Sequence, residues 1–200
     1  MDFRFLGFFY VHKANFRTNI YRKRLLLSCP CALWAANITN RLVKTPKVYF
    51  LDTGLAAYLC RWPNAETLAN GAMAGSFFET FAISEIIKSY YNVGKDLNLY
   101  YYRDIDKKEI DLLIVNAEGI YPIEIKKAKN PNDADKNFRV LSKFDLPQKP
   151  GIIICMADEL MPYNRDTWLC QRVKEIRCLL VPLFLIIHSQ HILPYVIRRS

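Results

Sequence analysis

Hydrophobic and polar positions fall into a legible pattern from Arg41 onward. Lys47-Val-Tyr-Phe-Leu51 is a short β-rich run after Pro46, and Asp52-Thr-Gly54 behind it offers a turn or an N-cap for a helix over Leu55 to Cys60. Trp62-Pro63-Asn64 closes that helix, and Gly71 and Gly75 flank a loose linker. Ser76 to Tyr91 then carries the 3-and-4 spacing of an amphipathic helix, with Glu79, Ile83, Ile86 and Tyr90 on one stripe and Asn92 and Gly94 past its end. That stripe puts Glu79 among residues that face the core. Strands are predicted at 97–103, 109–116 and 120–127, and a helix at 134–144, stopped by Pro147 and Pro150. Gly151-Ile-Ile-Ile-Cys-Met156 is a continuous apolar run suited to a strand covered on both faces. Residues 157–172 read as irregular and 178–187 as a last strand, while residues 1–40 show no clear period. The sum is an α/β (α+β) single domain, a mixed β-sheet flanked by helices.

The strands over 109–116 and 120–127 form an antiparallel pair around Ala117-Glu118-Gly119. A two- or four-residue loop there gives the same register, with Asn116 facing Gly119 and Val115 facing Ile120. Continued along the strands, it sets Asp111 opposite Glu124 and Glu109 opposite Lys126. Two facing carboxylates repel and weaken a strand pair. A divalent cation or a positioned ammonium turns that defect into a site. Glu124 and Lys126, two apart, share one face, and Ile123 and Ile125 share the other.

Glu79, Asp111, Glu124 and Lys126 thus converge as candidate site residues, the three acids as metal ligands and all four as catalytic groups. An acidic trio with a lysine suits Mg²⁺-dependent phosphodiester cleavage: Mg²⁺ takes one or two carboxylates and keeps waters, and the lysine orients a water or stabilises developing charge. The same residues also suit a purely structural arrangement. In it Lys126 pairs with Glu109, Asp111 satisfies a backbone group at a strand end, and Glu79 pairs with Arg103 or Lys126.

Composition narrows the class. The chain has 200 residues, 52% hydrophobic and 24% charged, which is globular and not disordered. Net charge is +9, and the surplus sits in residues 1–45, where eight Lys/Arg meet one Asp. That segment suits a nucleic-acid partner or a solvated tail equally. Six cysteines lack paired CxxC spacing, so no zinc site or disulfide framework is expected, Cys60 and Cys155 read as buried thiols, and reducing cytoplasm is the expected compartment. No signal peptide is evident, and the apolar run 178–187 is half the roughly 20 residues a membrane helix needs. No membrane association is expected.

Several stretches, taken in order, resemble one family: Arg41-Leu-Val-Lys-Thr-Pro-Lys-Val-Tyr-Phe-Leu-Asp-Thr-Gly-Leu55, Gly75-Ser-Phe-Phe-Glu79, Tyr101-Tyr-Arg-Asp104, Glu109-Ile-Asp111 and Pro122-Ile-Glu124-Ile-Lys126. It is the uncharacterised domain C-terminal to AAA-type ATPases of bacteria and archaea, and the Asp-x12-Glu-x-Lys spacing resembles the wider PD-(D/E)XK superfamily. The resemblance runs over residues 37–187. It implies a restriction-endonuclease-like core and an AAA-type ATPase domain as partner; the acidic trio with its lysine adds the expectation of Mg²⁺ as cofactor and DNA as substrate. Glu79 matches the helical acid, Asp111 the central acid, and Glu124 and Lys126 the final pair. Lys44, Lys47, Asp52 and Gly54 carry the family's other motif, read as a strand–turn–helix junction. The rival reading is a DNA-binding or protein-interaction module that regulates an ATPase without chemistry. The chain has no G-x-x-x-x-G-K-[ST] loop, so no ATP site is expected. Residues 1–36 depart from the family and read as a basic, truncated or poorly ordered segment, and 188–200 as a tail.

Overall fold

The computed structural model describes residues 28–33, 47–92, 94 and 99–170. In chain order the elements are β1 (Ser28–Leu33), β2 (Lys47–Phe50), α1 (Thr53–Leu59), α2 (Ala65–Asn70), α3 (Ala74–Asn92), β3 (Leu99–Arg103), β4 (Glu109–Asn116), β5 (Gly119–Ile125), a 3₁₀ helix (Phe138–Lys143), β6 (Gly151–Ile154), β7 (Met161–Pro162) and β8 (Thr167–Cys170). The strands form one mixed sheet in the order β2-β1-β3-β4-β5-β6-β8-β7. At its centre β3, β4 and β5 are an antiparallel meander. On its flanks β1 pairs parallel with β3, and β6 with β5 and β8.

Local chemistry explains the helices. The Asp52 carboxylate accepts the Leu55 N–H at 2.8 Å, and the Asn64 carbonyl accepts the Thr67 N–H at 2.9 Å, so each short helix begins on a side-chain cap. α3 ends where Gly94, at φ 67°, returns its N–H to the Tyr91 carbonyl. Its Ile83, Ile86 and Tyr90 are buried, as the spacing predicts, against Tyr101, Leu112, Ile114, Ile123 and Ile125. Burying each such isoleucine contributes about 1.5–3 kcal/mol. The opposite face of the sheet carries Tyr102, Ile110, Leu113 and Ile120 under Phe138, Val140, Leu141 and Phe144. β4 and β5 therefore lie between two apolar layers.

The hairpin register is the predicted one: Asn116 faces Gly119, Val115 faces Ile120 and Leu112 faces Ile123. The turn is held by Asn116 Oδ1, which accepts the N–H groups of Glu118 at 2.9 Å and Gly119 at 3.2 Å. Gly119 has φ 148°, and a Cβ there would stand 2.2 Å from the Pro147 carbonyl oxygen. No other residue fits this close approach.

Other expectations give way. Residues 134–144 are turns and a short 3₁₀ helix rather than an α-helix; Phe138, Leu141 and Phe144 recur every three residues, the repeat of a 3₁₀ turn, and with Val140 pack onto the sheet. Residues 157–172 contain β7 and β8, which extend the sheet beyond β6. Residues 65–70 are helical, and β1 arises in the aperiodic N-terminal stretch. Cys155 is buried as expected, but Cys60 is half-exposed at the end of α1. The strand expected at 178–187 lies outside the described residues. No helix among the described residues is long and apolar enough to cross a membrane.

Candidate functional site

The site begins with a defect in β4. Tyr100 pairs with Leu113 and Tyr102 with Ile110, so Asp111 and Leu112 together oppose Tyr101 alone. This β-bulge changes which residues share a face. Ile110 packs with Leu113 on one side of the sheet, while Leu112 packs with Ile114 beneath α3 on the other. Asp111 is thereby turned toward α3, where strict alternation from Leu113 would send it to the opposite side. The ladder to β5 stops at Leu112–Ile123, one step short of Asp111 and Glu124. Beyond that point the Ile125 N–H donates to Asp111 Oδ2 at 2.9 Å, a carboxylate standing where a backbone carbonyl would otherwise accept.

Lys47, the first residue of β2, enters the gap. Its ammonium lies 3.3 Å from Glu79 Oε1 and 3.8 Å from Asp111 Oδ1, is paired with Glu109, and stands 5.3 Å from the centre of the Tyr101 ring. The side chain is 9% exposed. Tyr49, two residues on and on the same strand face, donates its hydroxyl to Glu79 Oε1 at 2.7 Å. Glu109 is gripped from its far side by Arg103, through Nε at 2.8 Å and Nη2 at 2.9 Å. Next to this box, Lys126 Nζ is 2.6 Å from Glu124 Oε1. Glu124 Oε2 is buried and has no hydrogen-bond partner among the described residues.

The structure thus brings Glu79 and Asp111 together through Lys47, and keeps Glu124 with Lys126 as a neighbouring pair. Among the described residues no group of three or more His, Cys, Asp or Glu side chains is arranged to hold a metal ion. Glu109 does not face Lys126 as the register suggested. It pairs with Lys47 and Arg103, and the Lys126 N–H turns to the Ile154 carbonyl at 2.9 Å. Glu79 is held by Lys47 and by the Tyr49 hydroxyl. Lys47, Tyr49 and Glu109 are the members that sequence reasoning left out of the site. The available signal was the i, i+2 placement of Lys47 and Tyr49, two polar-tipped side chains on one face of a short strand. Asp52 keeps its expected junction role as the cap of α1.

Electrostatics separate the groups. Burial, then the charges of Glu79 and Glu124, push the Asp111 carboxyl up to about 7, against the pull of Lys47 and the Ile125 N–H. Burial also raises Glu124, held back by the hydrogen bond and charge of Lys126. Burial works against the charge on Lys47, but Glu79, Asp111 and Glu109 outweigh it and the ammonium binds its proton more tightly than usual. Lys126 is raised in the same way by Glu124. Burial opposes ionisation of Glu109 too, yet Lys47 and Arg103 hold it below the ordinary glutamate range. Glu109 is therefore a settled anion, whereas burial disfavours the charged forms of Asp111 and Glu124.

Fold and site together define a mixed α/β protein with a buried charge cluster where two central strands part. The chain belongs to the family described as domain of unknown function (DUF4143), whose model matches residues 74–179. That span holds Glu79, Asp111, Glu124 and Lys126 and leaves Lys47 and Tyr49 outside it. An uncharacterised protein of Mycobacterium bovis and another of Mycobacterium tuberculosis are each similar to it, 29% identical over 99 residues that cover 50% of this chain and 22% of the relative. The match thus spans less than a quarter of the length of these curated relatives. No solved structure matches the chain.

Proposed function

We propose that this chain is a nuclease-like domain with a restriction-endonuclease-like core, which hydrolyses phosphodiester bonds of DNA with the help of Mg²⁺ and acts with an AAA-type ATPase domain. The observation that carries the reading is the state of Asp111 and Glu124. Both are buried and shifted toward the protonated form, and Glu124 Oε2 has no partner among the described residues. Buried acids in that condition are short of a cation. Asp111 and Glu124 would hold it, with Glu79 next to Asp111. A bound divalent cation supplies charge neutralisation at phosphoryl oxygens and a water of lowered pKa. Lys126 has its ammonium on Glu124 and its side chain 45% exposed, so it can donate to a phosphate oxygen at the mouth of the site. Arg103 keeps Glu109 ionised and fixed, which leaves the two acids short of charge as the groups free to change partner.

The test is nicking of supercoiled plasmid DNA with Mg²⁺ or Mn²⁺ by the wild-type chain and by Lys126→Ala, with circular dichroism as the control for folding. Metal-dependent nicking that disappears in a folded Lys126→Ala supports the reading. Equal nicking by that variant assigns the activity to a contaminant.

A second reading is favoured by one observation: Lys47 already neutralises much of the cluster, and among the described residues no three-acid group is preformed. In that case the domain is a DNA-binding or protein-interaction module that regulates an ATPase and carries out no chemistry. DNA affinity without cleavage, indifferent to both metal ions, is its expected outcome.

A further inference from the structure

Lys47 stands where a cation between Glu79 and Asp111 would stand. Its ammonium is 3.3 Å from Glu79 Oε1 and 3.8 Å from Asp111 Oδ1. A divalent ion binds carboxylate oxygen at roughly 2.0–2.6 Å. An ion on either oxygen therefore comes within a few ångströms of the ammonium, where two like charges repel strongly in a partly dry pocket. The lysine side chain has a flexible stem and can leave by rotation alone.

The surroundings are arranged so that its departure strands few groups. Glu109, its closest partner, is already held by the two nitrogens of Arg103 at 2.8 and 2.9 Å. Glu79 keeps the Tyr49 hydroxyl at 2.7 Å, and Asp111 Oδ2 keeps the Ile125 N–H at 2.9 Å. What loses charge balance is Glu79 Oε1 and Asp111 Oδ1. These oxygens are the ones an incoming cation would take.

We propose that Lys47 is a tethered cation that competes with a divalent metal ion for Glu79 and Asp111, so that the cluster exchanges between a lysine-filled and a metal-filled state. The proposal rests on the reading that the cluster binds a divalent cation. It goes beyond that reading by making β2 the element that controls access to the cation. Competition is reciprocal: whatever Lys47 subtracts from metal affinity, the metal subtracts from the hold on Lys47.

The experiment measures Mn²⁺ binding to the full chain by the electron paramagnetic resonance signal of free Mn²⁺, for wild type and Lys47→Met, which keeps length and removes charge. The expected result is at least about tenfold tighter binding by Lys47→Met. Binding by wild type with equal or weaker binding by a folded Lys47→Met overturns the competition and leaves the metal reading intact. Binding by neither overturns both. Because the variant removes a buried charge, a second measurement uses wild type alone: reductive methylation of Lys47, quantified by mass spectrometry with and without Mn²⁺, against the exposed Lys129 as reference. Competition predicts a several-fold rise in Lys47 labelling on Mn²⁺ addition. Unchanged or slower labelling contradicts it.

Discussion

Replacing Asp111 by asparagine removes one charge and little volume, and asparagine Oδ1 can still accept the Ile125 N–H. In the unfolded chain the Asp111 carboxyl titrates near 3.8, whereas in the fold it is carried to about 7, first by burial and then by Glu79 and Glu124. A carboxyl with a raised folded pKa binds its proton more tightly in the folded state. Its contribution to stability is therefore present at pH 4 and is lost progressively as pH rises to about 7. At about 1.4 kcal/mol per pKa unit, the shift corresponds to a penalty of about 4 kcal/mol at pH 8. Asparagine has no such penalty, but it also withdraws one of the three carboxylates around Lys47, which takes back part of the gain. The net expectation is that Asp111→Asn is about 1–3 kcal/mol more stable than wild type at pH 8, with an advantage that shrinks toward zero near pH 4. Urea unfolding followed by far-ultraviolet circular dichroism, repeated from pH 4 to pH 8, reads this directly. A variant less stable than wild type across the whole range would falsify the assignment of Asp111 as a strained, charge-deficient acid. It would mark the side chain as an ordinary structural acceptor.

Further expectations follow from the same contacts. Tyr49→Phe removes a 2.7 Å hydrogen bond to a carboxylate and should cost about 1.5–3 kcal/mol in urea unfolding; a neutral result would show that the hydroxyl does not position Glu79. Gly119→Ala should cost about 2–4 kcal/mol, because φ is 148° and the new methyl meets the Pro147 carbonyl; a midpoint within error of wild type would contradict the turn geometry. Asp52→Ala removes the cap of α1 and should cost about 1 kcal/mol, read from the same curves.

Much of the frame was legible in the sequence because its causes are local. Asn116, the turn and Gly119 set a register that carries through to Leu112 and Ile123. The stripe through Ile83, Ile86 and Tyr90 fixed which side of α3 meets the sheet. The rest depends on contacts far apart in the chain. The bulge at Asp111–Leu112 leaves no trace in alternation, since Glu-Ile-Asp-Leu-Leu-Ile reads equally well as an unbroken strand. It becomes definite only through pairing with Tyr100 and Tyr102. Lys47 meets Glu79 across 32 residues of chain and Glu109 across more. Its own neighbours specify a strand and a helix cap, and nothing local says that its ammonium lies among three carboxylates. Residues 134–144 contain enough apolar positions for a helix, and Phe138, Leu141 and Phe144 recur at a three-residue step that suits an α-helix and a 3₁₀ helix alike, so the local pattern does not choose between them. Asn64, expected only to close the preceding helix, is the residue whose side chain caps the 65–70 helix.

The claim on which the rest depends is that Asp111 and Glu124 await a divalent cation. Its most direct test is a Mn²⁺ titration of the wild-type chain beside Asp111→Asn and Glu124→Gln, followed by isothermal calorimetry at pH 8. The account predicts saturable binding by wild type and a loss of at least about tenfold in affinity for each variant, as removal of a charged ligand requires. Wild-type protein that takes up no Mn²⁺, or binding that both variants retain unchanged, contradicts it.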